Sequence, residues 1–171
     1  MDPQAWQEFD AHWIQRLSLL EGKPGLRRLA ITFAHSGDSW FWLAGLGFAW
    51  IVGPEAWKTP LVRTLGGILF LAMIVLVIKF SIRRKRPEGD WGAIYRSTDP
   101  HSFPSGHAAR AFTLAVLAFS WGPIWFGLIL AIWAPLVSLA RIAMRLHFPS
   151  DVLAGAGLGI LYGVALTLLL P

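Results

Sequence analysis

Apolar positions in this chain fall into long unbroken runs, not into the short alternations of strands. The first run covers about 38–53 and stops at "VGP". The second covers roughly 61–82, with "TLGGILFLAMIVLVI" as its uncharged centre. A third begins near Ser105 and stops at "SWGP", a fourth covers roughly 124–145, and a fifth covers 150–170 between Pro149 and Pro171. About 20 residues cross a bilayer core, so the second, fourth and fifth runs suffice, whereas the first and third are short and Arg110 interrupts the third. Ahead of them, 4–20 has the period of an amphipathic helix. Trp6, Phe9, Trp13, Leu17 and Leu20 share one side, and Gln7, Asp10 and Arg16 the other. Gly22, Pro24 and Gly25 break that helix, and 26–34 reads as a second short interfacial one. The pattern predicts an all-α integral membrane bundle of about five transmembrane helices with an N-terminal interfacial helix. It forms a single domain over 1–171, divided into an interfacial segment, 1–35, and a transmembrane core, 36–171.

Composition strengthens this reading. Hydrophobic residues make up 55% of the 171 and charged ones 15%, with ten Trp, a residue that favours bilayer interfaces. The absence of cysteine excludes disulfides and thiolate metal sites. The net charge of +5 is concentrated in 79–86 beside a span, which argues against a nucleic-acid partner. The opening "MDPQAWQEFDAHW" has no basic region before an apolar core, so no cleavable signal is expected.

Alternating spans place the loops 83–104 and 146–149 and the N-terminal helix on one side, gathering the unusual polar residues at one membrane face. Lys79 and Arg86 are seven apart, nearly two turns of a continuing helix, so both would point the same way until Pro87 ends it. Two such cations suit a phosphate, although Lys79, Arg83, Arg84, Lys85 and Arg86 would also suit anionic headgroups. In Pro104-Ser105-Gly106-His107, Ser105 is a helix N-cap and Gly106 permits close approach of a ligand to the backbone, at a helix mouth whose amides attract anions. Arg141 and His147 would not share a helical face, so the chain must turn between them, as Phe148-Pro149 supports. Asp151 then lies close enough to hold one ring nitrogen of His147. The glycines 155, 159 and 163 form a small-residue face that favours tight packing inside the bundle over homo-oligomerisation.

Lys79-x6-Arg86-Pro87, Pro104-Ser105-Gly106-His107 and Arg141-x5-His147-x3-Asp151 together resemble the type 2 phosphatidic acid phosphatase superfamily of membrane lipid phosphatases. The resemblance is close over 79–151 and general elsewhere. It departs at Ala140, where the family usually has Ser before the Arg, with Ser138 two residues earlier, and in the family's usual sixth span. It implies His147 as nucleophile, His107 as general acid and Asp151 as the residue that orients His147. Lys79, Arg86, Arg141, Ser105 and Gly106 would hold the phosphoryl oxygens, and Trp91 and Tyr95 would cover the headgroup. Fixed cations replace magnesium, so neither a metal nor a cofactor is expected. The implied substrate is a phospholipid, an isoprenyl diphosphate or a lipid A phosphate. The alternatives are a vanadate-dependent haloperoxidase-like enzyme, against which the hydrophobicity argues, and a non-catalytic lipid-binding or transport protein. Positive-inside counting puts 83–86 in the cytoplasm, but bacterial relatives by resemblance face outward. The expectation is the extracytoplasmic face of a prokaryotic cytoplasmic membrane.

Overall fold

A computed structural model describes residues 3–18, 23–89 and 99–170. Among these residues the chain forms α1 (Pro3–Ser18), α2 (Pro24–Ser36), α3 (Ser39–Val52), α4 (Glu55–Ile82), α5 (Gly106–Trp121), α6 (Ile124–Ala143) and α7 (Pro149–Leu169). The all-α class stands. The helices α4, α6 and α7 are long and apolar enough to cross a membrane. With 14 and 16 residues, α3 and α5 rise only about 21 and 24 Å, short of a core of roughly 30 Å.

The helix α4 begins six residues before its expected start because Pro60 does not stop it. So near the N-terminus the proline deprives only the Ala56 carbonyl of a partner. Outward-facing Leu69, Phe70, Met73, Val77 and Phe80 on α4 are more than half exposed. That is the surface of a helix facing lipid, not water.

The centre of the bundle is α5, which packs against α4, α6 and α7. Its buried Ala108, Ala109, Ala111 and Ala115 are small enough to admit neighbouring backbones. From α7, Gly155, Gly159 and Gly163 meet this face. A methyl group on Gly159 would sit 2.2 Å from the Ala109 carbonyl oxygen, and one on Gly155 2.4 Å from that of Ser105. Thr113 Oγ1 donates to the Gly159 carbonyl at 2.9 Å across the same contact. The glycine face is thus spent inside the protomer.

The short helix α2 lies along α6, and α1 rests on α6 and the start of α7. Asp10, on the polar side of α1, is only 2% exposed and is the residue by which the helix docks. Trp6, Phe9 and Trp13, on its apolar side, face outward. Leu20 and the side chain of Leu17 lie outside the described residues.

Candidate active site

At the end of α4 the chain does not continue as a helix to Arg86, contrary to the sequence expectation. Arg83 adopts a left-handed conformation (φ 54°) and its N–H caps the Lys79 carbonyl at 2.8 Å. The chain then runs extended, with Lys85 bridging antiparallel to His101 and Ser102 N–H donating to the Arg84 carbonyl at 2.8 Å. Lys79 and Arg86 nevertheless converge, through this turn and not through helical periodicity. Both are buried, and both donate to Oδ2 of Asp99, Arg86 Nη2 at 2.8 Å. Arg86 is further fixed by the carbonyls of Asp99 and Leu146, at 2.8 and 2.7 Å.

The mouth of α5 lies beside this pair. Ser105 caps the helix by accepting from Ala108 N–H at 3.4 Å, and it is fully buried. Its own N–H donates to the Asp151 carbonyl at 2.9 Å, tying the mouth of α5 to that of α7. Such a cap stabilises a helix by about 1 kcal/mol. Gly106 opens the helix. The next residue, His107, places Nε2 2.8 Å from Oδ1 of Asp38.

The third group lies at the turn between α6 and α7. Arg145 is left-handed (φ 52°), and the N–H groups of Leu146 and His147 return to the Arg141 carbonyl at 3.0 and 3.3 Å. Arg141, His147 and Asp151 are all at most 1% exposed. Nδ1 of His147 lies 3.7 Å from Oδ2 of Asp151, too long for a hydrogen bond. That oxygen accepts from Phe148 N–H at 2.8 Å, which fixes the carboxylate. On the opposite edge of the ring, Nε2 faces Arg86 Nη1 at 3.3 Å. Burial, reinforced by the charges of Arg141 and Arg86 and opposed by Asp151, lowers His147 to about 3. At neutral pH the imidazole is therefore uncharged, and beside a guanidinium donor Nε2 carries the lone pair.

Several residues of the site were not singled out from sequence. Arg84, read as one of five headgroup cations, donates to Asp151 Oδ1 and Asp10 Oδ2, each at 2.6 Å, and to Ser150 Oγ at 2.7 Å. Asp10 also accepts from Ser150 N–H at 2.9 Å, so α1 is pinned to the carboxylate that accompanies His147. Asp38 sits at the N-cap position of α3 yet makes no cap with its side chain. A polar residue before an apolar run is the only signal it leaves in the sequence. Ala140 packs with Ala34, Met144 and Leu146, facing α2. Ser138 is buried, and its hydroxyl has no hydrogen-bond partner among the described residues. Trp91 and Tyr95 lie outside the described residues.

A cavity of about 230 Å³ opens at the mouth of α5. Lys79, Asp99 and His107 line its polar end, while Ile68, Leu71 and Val75 extend it along α4. A second cavity of about 400 Å³, among Trp42, Trp57, Trp121 and Phe126, lies at the other end of the bundle and is lined by no charged side chain.

Comparison with known proteins agrees with this geometry. The chain is 33% identical over 150 residues to the decaprenylphosphoryl-5-phosphoribose phosphatase of Mycobacterium tuberculosis, an alignment covering 85% of this chain and 81% of that one. It is 33% identical over 120 residues to the lipid A 1-phosphatase of Porphyromonas gingivalis, covering 68% of this chain but only 25% of that longer protein. Its fold matches the transmembrane PAP2 type phosphatidylglycerolphosphate phosphatase of Bacillus subtilis with a TM-score of 0.80. That match has 23% identity and covers 96% of this chain and 86% of that one. The family model of the PAP2 superfamily matches residues 60–171, which take in every motif residue described above, and the chain belongs to that superfamily.

Proposed function

We propose that this chain hydrolyses a phosphomonoester or diphosphate of a membrane lipid through a phosphohistidine on His147. The observation that carries this reading is the Asp99 carboxylate held by Lys79 and Arg86 beside His147 Nε2. Cations that hold a carboxylate there hold phosphoryl oxygens by the same charge-assisted bonds. The Asp99 side chain is 36% exposed, so it can withdraw as a phosphate enters.

The lone pair on His147 Nε2 attacks phosphorus in line, and the bond to the lipid oxygen breaks. His107 gives its proton to that oxygen. Water then attacks the phosphohistidine, its proton passes to His107, and the P–N bond breaks to release phosphate. Lys79, Arg86 and Arg141 neutralise the equatorial oxygens, and positioning with charge neutralisation is most of what phosphoryl transfer needs. Gly106 at the helix mouth supplies a backbone amide. The Ser105 hydroxyl accepts from Ala108 N–H as the helix cap, which leaves its O–H to donate to a phosphoryl oxygen. Asp151, held by Arg84, orients His147. The cavity supports a lipid substrate, being polar beside His107 and apolar along α4. Relatives named for lipid A and for a decaprenyl-linked phosphate support the same class. The deciding experiment is phosphate release from phosphatidate, phosphatidylglycerol phosphate, an isoprenyl diphosphate and a lipid A phosphate, in detergent with excess EDTA. The wild type should turn over at least one of them and His147→Ala none. A strict need for added magnesium would contradict the fixed-cation cradle.

In the membrane, five helices (α3 to α7) form the transmembrane core as one domain, α4, α6 and α7 spanning it in full and the shorter α3 and α5 packed within it. The helix α1 lies on the interface through Trp6, Phe9 and Trp13, on the extracytoplasmic side of a prokaryotic cytoplasmic membrane. Because the chain has no cysteine, Lys23→Cys in intact cells reports the side directly. Labelling by an impermeant maleimide is expected, and protection until lysis would reverse the orientation.

A further inference from the structure

The turn between α2 and α3 is built around His107. Arg110, one helical turn into α5, donates through Nε and Nη2 to the Gly37 carbonyl and through Nη1 to Ser39 Oγ at 2.5 Å. These bonds clamp residues 37–39 against the mouth of α5. A Cβ on Gly37 would lie 2.9 Å from Val137 Cγ1 and 3.2 Å from Cδ2 of the His107 ring, so only glycine brings this turn flush against the imidazole. Between the clamped residues, Asp38 points inward. Its Oδ1 is 2.8 Å from His107 Nε2 and its Oδ2 is 3.2 Å from His35 Nδ1. The Asp38 and His107 side chains are 16% and 15% exposed, and that of His35 is 48% exposed.

We propose that Asp38 is the positioning residue of His107: its carboxylate accepts from Nε2–H, fixes the ring so that Nδ1 faces the leaving group, and balances the charge of the imidazolium, while His35 holds its second oxygen. This inference rests on the assignment of His107 as general acid. No other carboxylate is paired with this ring among the described residues. Arg141 from α6 and Arg110 from α5 bring positive charge to its surroundings. Lys79 and Asp99 line the same cavity. Without Asp38, a cationic His107 would stand among arginines with no carboxylate in contact among the described residues. The carboxyl group itself suits the task. Burial alone would raise it, but hydrogen bonds and charge from His107 and His35 outweigh that and lower it to about 2, so it stays ionised. During the reaction Asp38 takes up no proton. The proton on Nδ1 goes to the lipid oxygen as its bond to phosphorus breaks, and the proton that returns comes from the attacking water.

The test separates this role from a structural one through the leaving group. A lipid alkoxide needs a proton to leave, whereas p-nitrophenolate does not. Asp38→Asn should lower turnover of a lipid phosphate by about 10–10²-fold, part of the total a general acid supplies. It should change phosphoenzyme formation from p-nitrophenyl phosphate by less than about threefold, because that step draws little on the acid. Asp38→Glu should recover part of the loss on the lipid ester. Equal losses on both substrates, or none on either, overturn the inference. Should Asp38→Asn fail to fold, His35→Ala alters an exposed side chain and serves instead. A smaller loss confined to the lipid ester is expected, and an equal loss on both esters, or none, overturns the proposal. If the wild type forms no phosphoenzyme from either substrate, the underlying reading fails. If it does form one but the ester dependence is absent, only the role of Asp38 fails.

Discussion

The site contains two histidine–aspartate pairs, and they are built differently. His147 and Asp151 are four residues apart, on a turn and the helix it leads into, both essentially inaccessible. His107 and Asp38 are 69 residues apart, on separate elements brought together by the Arg110 clamp, and both are partly accessible. In the proposed mechanism the first pair serves a buried nucleophile that must be neutral and immobile. The second serves an acid that must exchange protons with substrate and water. Local spacing secures the one, whereas the other depends on the tertiary fold.

Substitutions should separate the two pairs, beginning with the largest effects. His107→Ala should lower lipid phosphate turnover by about 10²–10⁴-fold while sparing phosphoenzyme formation from p-nitrophenyl phosphate. An equal loss on both would erase the distinction between acid and nucleophile. Arg141→Ala should cost far more activity than Arg145→Ala, and the reverse order would transfer the phosphate contact to Arg145.

Arg84→Ala tests what supports the first pair. It would leave Asp10 and Asp151, 2% and 0% exposed, with backbone and hydroxyl hydrogen bonds but without their cationic partner, at a cost of about 3 kcal/mol readable as a lowered Tm. An unchanged Tm would mean that Arg84 does not hold α1 to the site. The His147 environment also predicts a pH dependence. Its folded-state value is lowered to about 3, against an ordinary value near 6.5. Below about 6.5 the unfolded chain binds a proton that the folded site refuses. The contribution of His147 to stability is thus complete above that pH and is lost as pH falls towards 3. Tm measured from pH 7 to 4 should fall less steeply in His147→Asn than in the wild type. Equal slopes would place the titration elsewhere.

The smallest effect is expected at Ala140. Because Ala140 faces Ala34, Met144 and Leu146, Ala140→Ser should leave activity nearly unchanged and lower stability by about 1 kcal/mol. A tenfold change in activity would place that side chain in the cradle.

These contrasts also explain what was legible in the sequence. The motif residues from Lys79 to Asp151 stand out because chemistry fixes their types and because Ser105 and Pro149 mark helix starts. How Lys79 and Arg86 converge was not legible, since it depends on a left-handed Arg83 and a bridge to His101, and neither has a periodic signal. The partners of the polar side of α1 were not legible for a different reason. In water an amphipathic helix docks by its apolar side, but beside a bilayer lipid can satisfy that side, leaving the polar side to bind Arg84 and Ser150, which lie far along the chain. Asp38 and Asp99 escaped because their partners are distant in sequence or lie across a turn.

The central claim is that a phosphoryl group passes through Nε2 of His147, assisted by His107. Rapid trapping of acid-labile phosphoenzyme from labelled p-nitrophenyl phosphate tests it most directly. The wild type and His107→Ala should both accumulate label, with the phosphate on His147, and His147→Ala should accumulate none. Label in His147→Ala together with none in His107→Ala would contradict the account and exchange the two histidines.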